Sequence, residues 1–246
     1  ELMALPGGMP YLVKPRRAKA GIVLIHDWLQ TPSSLKKLAD YLGAHGFLVI
    51  VPRLPGHATI PADLKDRAFD EWQTAVDEAY TYVSLVCSEV VVCGVGNSVA
   101  LVLSLAERSY EMAALVALFP AVTGVTKTSS ELKPADSDEQ VGVEVTAKSP
   151  VSGYTYPSFP VTSKRQVKKM LVQAAKNLPL IKTPLLLLHD ETISKADRQQ
   201  MDKYFAKISS HEKELLLLST SDPNTMIRKD QHGGQALVDF IKRNLY

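Results

Sequence analysis

Six short apolar runs recur along the chain, each separated from the next by a segment with helical spacing. Residues 21–26 (GIVLIH), 47–51 (FLVIV), 89–93 (EVVVC), 114–118 (ALVAL), 184–189 (PLLLLH) and 214–218 (ELLLL) read as strands. Several are apolar without alternation, the pattern of strands covered on both faces of a parallel sheet. Between them, residues 35–46 place Leu35, Leu38, Ala39 and Leu42 on one stripe, with Gly46 as a stop. Residues 69–86 carry Trp72, Val76 and Ala79 on one face, and helices are predicted over 97–107, 197–208 and 234–245. Strand and helix in alternation predict a mostly parallel, doubly wound α/β sheet. Residues 1–20 are expected to add antiparallel edge strands.

One stretch breaks the alternation. Residues 121–182 are rich in Ser, Thr and Pro and then run into a basic helical segment, SKRQVKKMLVQAAKNL. The stretch is too long for a plain connection. It is expected to be a small cap inserted over the carboxyl edge of the sheet, where open α/β sheets bind ligands. The predicted organisation is one domain over 1–246, with its core at 1–120 and 183–246.

Length and composition add boundaries. A chain of 246 residues supports one sizeable core. Its 46% hydrophobic and 22% charged residues are an ordinary globular balance, and a net charge of +2 gives no case for nucleic acid. Cys87 and Cys93 lie in apolar runs and are expected to be buried thiols. No apolar stretch has bilayer-spanning length, so no transmembrane segment is expected. No basic-then-apolar leader is visible, which makes the cytoplasm the default location. The 6 histidines are scattered without zinc-ligand spacing, and neither a metal nor a cofactor is expected.

Several motifs then fall in one order. His26-Asp27-Trp28 followed by Thr31-Pro32 resembles an HGF…TP loop, and residues 51–57 (VPRLPGH) a PRLPGHG segment. Residues 69–72 (FDEW) resemble a TxxDW helix start, and residues 94–98 (GVGNS) fall at a G-x-S-x-G elbow. Tyr156 to Pro160, the basic helix, Leu178-Pro179 and residues 181–184 resemble a cap and return strand. Ile208 to Glu214 resembles the stretch before a last strand. Together they make the chain similar to the α/β-hydrolase superfamily, in particular its bacterial carboxylesterase and monoacylglycerol-lipase-like family. The resemblance covers nearly the whole chain, and is strongest before residue 108 and after residue 153. It implies an α/β-hydrolase core, a small cap, and hydrolysis of short to medium acyl esters.

That chemistry requires a serine on a strained elbow, a histidine to take its proton and an acid to orient the histidine. At the three positions that the resemblance assigns to them, this sequence has Gly96, Ile193 and Pro223. No histidine lies between His211 and His232 to replace the base. The expectation is a non-catalytic homologue that binds a small acyl or apolar ligand, or a protein partner. The pocket wall is expected at Asp27, Trp28, Gly96, Asn97 and Ser98. Main-chain amides of Trp28 and Asn97 are the expected oxyanion-hole donors, which survive loss of the serine side chain.

Alternatives stay open at this point. A retained hole could hold a carboxylate or carbonyl without cleaving it, or Gly96 could be a relic in a collapsed pocket. Asp27, which replaces a glycine of the family pattern, would repel a developing negative charge, or else bind a cationic or hydroxyl-bearing ligand. Ser98 is the candidate displaced nucleophile of a rearranged esterase, with His189 or His26 as base and Asp190 or Glu191 as acid. Cys93 belongs to a strand end, and His232 sits before a Gly233-Gly234 turn. The basic residues Lys164, Arg165, Lys168, Lys169 and Lys176 form either a solvated face or a surface for an anionic partner. Asp136, Asp138 and Glu139 read as exposed loop.

Overall fold

The β-branched and leucine-rich runs form the strands of one sheet in a computed structural model that describes residues 4–18, 20–108, 110–121, 156, 159–229 and 231–245. Seven strands are β1 (Tyr11–Val13), β2 (Ala20–Ile25), β3 (Leu48–Val51), β4 (Glu89–Val95), β5 (Ala114–Leu118), β6 (Leu185–Asp190) and β7 (Lys213–Leu218). Their spatial order is β1-β3-β2-β4-β5-β6-β7. All neighbouring pairs are parallel except β1 with β3, where Tyr11 lies opposite Val51 in antiparallel register. The N-terminal segment thus supplies one antiparallel edge strand.

Alternate residues of the central strands feed two cores. Val23 and Ile25 of β2 and Val90 and Val92 of β4 face one cluster; Ile22, Leu24, Val91 and Cys93 face the other. The period-2 geometry of a strand requires this division, and burial on both faces explains the lack of polar alternation. The first cluster is closed by α2 (Phe69–Val86), α3 (Val99–Glu107), α4 (Val161–Asn177) and α5 (Lys195–Ala206), through Trp72, Val76, Leu101, Val167, Met170 and Met201. The second is closed by α1 (Lys36–Ala44) and α6 (Gly233–Arg243), through Leu38, Leu42, Leu237 and Phe240.

Several boundaries differ from the sequence expectation by a residue or two, and three of the differences have a visible reason. β4 runs on to Val95 because its ladder to β5 continues through Val95 opposite Leu118. Leu35 belongs to a 3₁₀ turn over Pro32–Leu35, and the α-helix starts after it. A second 3₁₀ turn, Gly96–Ser98, takes up the sharp bend between β4 and α3. Cys87 and Cys93 are buried free thiols. Of the expected cap, residues 121, 156 and 159–182 are described, and α4 packs mainly on α3. Asp136, Asp138 and Glu139 lie outside the described residues. No helix among the described residues is long and apolar enough to cross a membrane.

Candidate functional site

Strand register brings the site together. β2 and β4 are adjacent and parallel, with Leu24 opposite Cys93 and Ile25 opposite Gly94. Two residues beyond that last pair stand Asp27, in the loop after β2, and Gly96, in the turn after β4, so the two connections leave the sheet side by side. Gly96 has φ +58°, the left-handed region in which a side chain is strained. A Cβ built on it would lie 2.6 Å from Asp27 Oδ1, and closer still to Asp27 Cγ and Oδ2. The Asp27 carboxylate therefore occupies the space into which a side chain at position 96 would project.

The same carboxylate is held by the amides expected of an oxyanion hole. Asp27 Oδ1 accepts the Trp28 N–H at 2.7 Å, the Asn97 N–H at 2.7 Å and the Asn97 Nδ2–H at 3.0 Å. Two main-chain donors from separate loops and one side-chain amide converge on a single oxygen. Asp27 is 7% exposed and Asn97 fully buried. The Trp28 and Asn97 amides thus point at one oxygen, and that oxygen is the chain's own.

The surrounding wall is packed. The Trp28 ring lies 5.2 Å from that of Phe159, and Lys164 lies 5.4 Å from the Phe159 centroid on its outer side. The Tyr156 amide donates to Leu29 O at 3.0 Å, while its hydroxyl donates to Gly56 O and accepts the Thr59 N–H at 2.8 Å. Tyr156, in the expected cap, thereby ties the loop after β2 to the loop after β3.

The candidate substitutes for a nucleophile and base are engaged elsewhere. Ser98 is buried, and its hydroxyl donates to His26 O at 2.6 Å. His26 accepts the Leu54 N–H on Nε2 and directs Nδ1 to Asp27 O at 3.0 Å, which makes it a link between main chains. Burial, and secondly the nearby His57, lower its pKa to about 3; burial lowers that of His57 to about 4. Burial pushes the Cys93 thiol well above its ordinary value, the opposite of an activated thiolate.

The other sequence candidates are distributed around the edge. Ile193 is half-buried against the first core cluster, just before α5. Asp190 Oδ1 accepts the Thr192 N–H and hydroxyl, both at 2.7 Å, within its own turn. Burial lowers the pKa of His189, whose Nδ1 accepts the Asp190 N–H at 2.8 Å. Glu191 and His232 are exposed. Pro223 is buried, and the next residue, Asn224, donates to Ser34 O at 2.7 Å and accepts the Leu38 N–H at 3.3 Å. The loop after β7 is thus fastened to the start of α1. No group of three or more His, Cys, Asp or Glu suited to a metal occurs among the described residues. Of the expected pocket residues, Asp27, Trp28, Gly96 and Asn97 form one constellation, and Ser98 supports it from below. The sequence reading missed that Asp27 fills the hole beside it.

No family model matches the chain. It is 28% identical over 223 residues to the thermostable monoacylglycerol lipase of Bacillus sp. (strain H-257), covering 88% of this chain and 87% of that protein. Among solved structures, a protein from work on LipS and LipT, two metagenome-derived lipolytic enzymes, is 22% identical with a TM-score of 0.78. The match covers 98% of this chain and 100% of that one. A soluble variant of monoglyceride lipase from Saccharomyces cerevisiae is 13% identical with a TM-score of 0.73, covering 96% of this chain and 92% of that one. With a mostly parallel sheet, seven-stranded among the described residues and flanked by helices on both faces, the chain has the α/β-hydrolase fold and is similar to monoacylglycerol lipases and esterases.

Proposed function

We propose that this chain is a non-catalytic α/β-hydrolase-fold protein that works by binding rather than by turnover. The observation that carries this reading is the Asp27 carboxylate, bonded to the Trp28 and Asn97 amides where a substrate oxyanion would have to sit. Removing one oxyanion donor from a working hydrolase costs about 3–4 kcal/mol of transition-state stabilisation. Here both main-chain donors are engaged, and an incoming oxyanion would also meet a carboxylate of like charge. Gly96 offers no nucleophilic atom, and Ser98 is committed to a carbonyl beneath the loop. A small apolar ligand or a protein partner fits an occupied hole; an acyl group whose carbonyl must enter the hole does not while Asp27 lies there.

The test is direct. The purified chain is incubated with short and medium p-nitrophenyl esters, with a monoacylglycerol, and separately with a fluorophosphonate probe. We expect no hydrolysis above buffer and no covalent labelling. Saturable hydrolysis that disappears on Ser98→Ala would overturn the reading in favour of a rearranged esterase.

A further inference from the structure

We propose that the pair of amides at Trp28 and Asn97 is a complete carboxylate-binding site whose resident ligand is the Asp27 side chain, so that removing this side chain opens the site to a free carboxylate. The inference concerns the same constellation as the functional reading above, but it rests on geometry and not on the absence of turnover. Ester hydrolysis by the unaltered protein would defeat that reading; failure of the altered protein to bind a carboxylate defeats this one.

Three features support it. The donors come from two loops that leave paired strands side by side and are also joined by the Ser98 hydroxyl donating to His26 O, so Asp27 is not the sole link between them. Asn97 is fully buried, and its side-chain amide points at the same oxygen as the two main-chain amides. Gly96 leaves room for the whole carboxylate, since a Cβ there would overlap both oxygens and Cγ. A buried hole with three inward N–H groups is costly to leave empty, because each unpaired donor forfeits its hydration. The side chain meets that demand from within. A tethered group competes at an effective concentration above the millimolar level reached through short flexible linkers, so a free carboxylate does not displace it at ordinary concentrations.

Substitution creates cavities of defined size. Asp27→Ala removes one carboxylate group and leaves the space of formate; Asp27→Gly removes a carboxymethyl group and leaves the space of acetate. Thermal unfolding of the unaltered chain and of both variants is followed against sodium formate and sodium acetate, with sodium chloride at matched ionic strength as reference. Asp27→Asn, which keeps the shape and an acceptor oxygen, serves as the closed control. We expect saturable stabilisation of Asp27→Ala by formate, with an affinity at least roughly tenfold above any response of the unaltered chain. Asp27→Gly should respond to acetate in the same way. The unaltered chain and Asp27→Asn should follow chloride. Should Asp27→Ala be insoluble, recovery of folded protein only when formate is present during refolding counts as binding, and Asp27→Gly with acetate provides the second arm. The proposal is overturned if soluble variants respond to carboxylates no differently from chloride, if Asp27→Asn binds formate as well as Asp27→Ala does, or if neither variant folds with its matching anion.

Discussion

At the level of single residues, Gly96 and Asp27 constrain one another, although 68 residues separate them in the chain. Any side chain at position 96 meets two penalties: a φ of +58° and overlap with the Asp27 carboxylate. The first belongs to position 96 alone, and the second vanishes if Asp27 is shortened. Gly96→Ser should therefore destabilise the fold by about 2–4 kcal/mol, combining a backbone cost of order 1 kcal/mol with overpacking of 1–3 kcal/mol. In an Asp27→Gly background the same substitution should cost roughly 1–3 kcal/mol less, a coupling expected only of residues in contact. Urea unfolding of the two single variants and the double variant measures it. Additive effects would show that Asp27 moves aside freely and does not define the space at position 96. Taken singly, Gly96 and Asp27 are two unrelated departures from the motif that the sequence resembles. Their spatial overlap makes them one arrangement.

At the level of elements, the loops after β2 and β3 are joined through two buried imidazoles. The His26 and His57 rings lie 5.2 Å apart, edge to face, with His57 also packed 5.8 Å from the Trp72 ring. Their folded pKa values of about 3 and about 4 lie below the ordinary 6.5. In the unfolded chain both would take protons first as pH falls. Stability from this source is thus complete above about pH 6.5 and is lost as the pH falls toward the folded values. Each histidine contributes a slope of up to one proton, or about 1.4 kcal/mol per pH unit. His57→Phe keeps the ring packing and should reduce that slope by about one proton between roughly pH 4 and 6.5. Urea unfolding at stepped pH reads the change, and an unaltered slope would assign the acid sensitivity to other groups. The strands carrying these loops are legible in the sequence because burial on both faces of β2 and β3 leaves uninterrupted apolar runs. The 3₁₀ turns at Pro32–Leu35 and Gly96–Ser98 are not, since helical spacing continues through them without a break. Nor is the use of Asn224 to fasten the last loop to α1, which depends on a contact between residues 190 apart.

At the scale of the whole molecule, motif order reveals the fold while strand register determines what the site can do. The ordered motifs identified a superfamily, yet Asp27 read as an odd neighbour of the oxyanion hole and not as its occupant. That relationship appears only when Ile25 stands opposite Gly94. It has a consequence for any attempt to install catalysis on this scaffold. Restoring the assigned triad positions with Gly96→Ser, Ile193→Asp and Pro223→His would leave the amides of Trp28 and Asn97 bonded to Asp27 and crowd the new hydroxyl against its carboxylate. Such a chain should remain inert to a fluorophosphonate probe and to p-nitrophenyl butyrate. Adding Asp27→Gly frees the hole, and labelling should then appear, with hydrolysis at least roughly a hundredfold above the three-change chain, the scale on which oxyanion donors act. Equal labelling of the two would remove Asp27 as the obstacle. Silence from both, in folded protein, would place the fault at position 193 or 223, where Asn224 fastens its loop to the start of α1 and restricts where an introduced imidazole can reach.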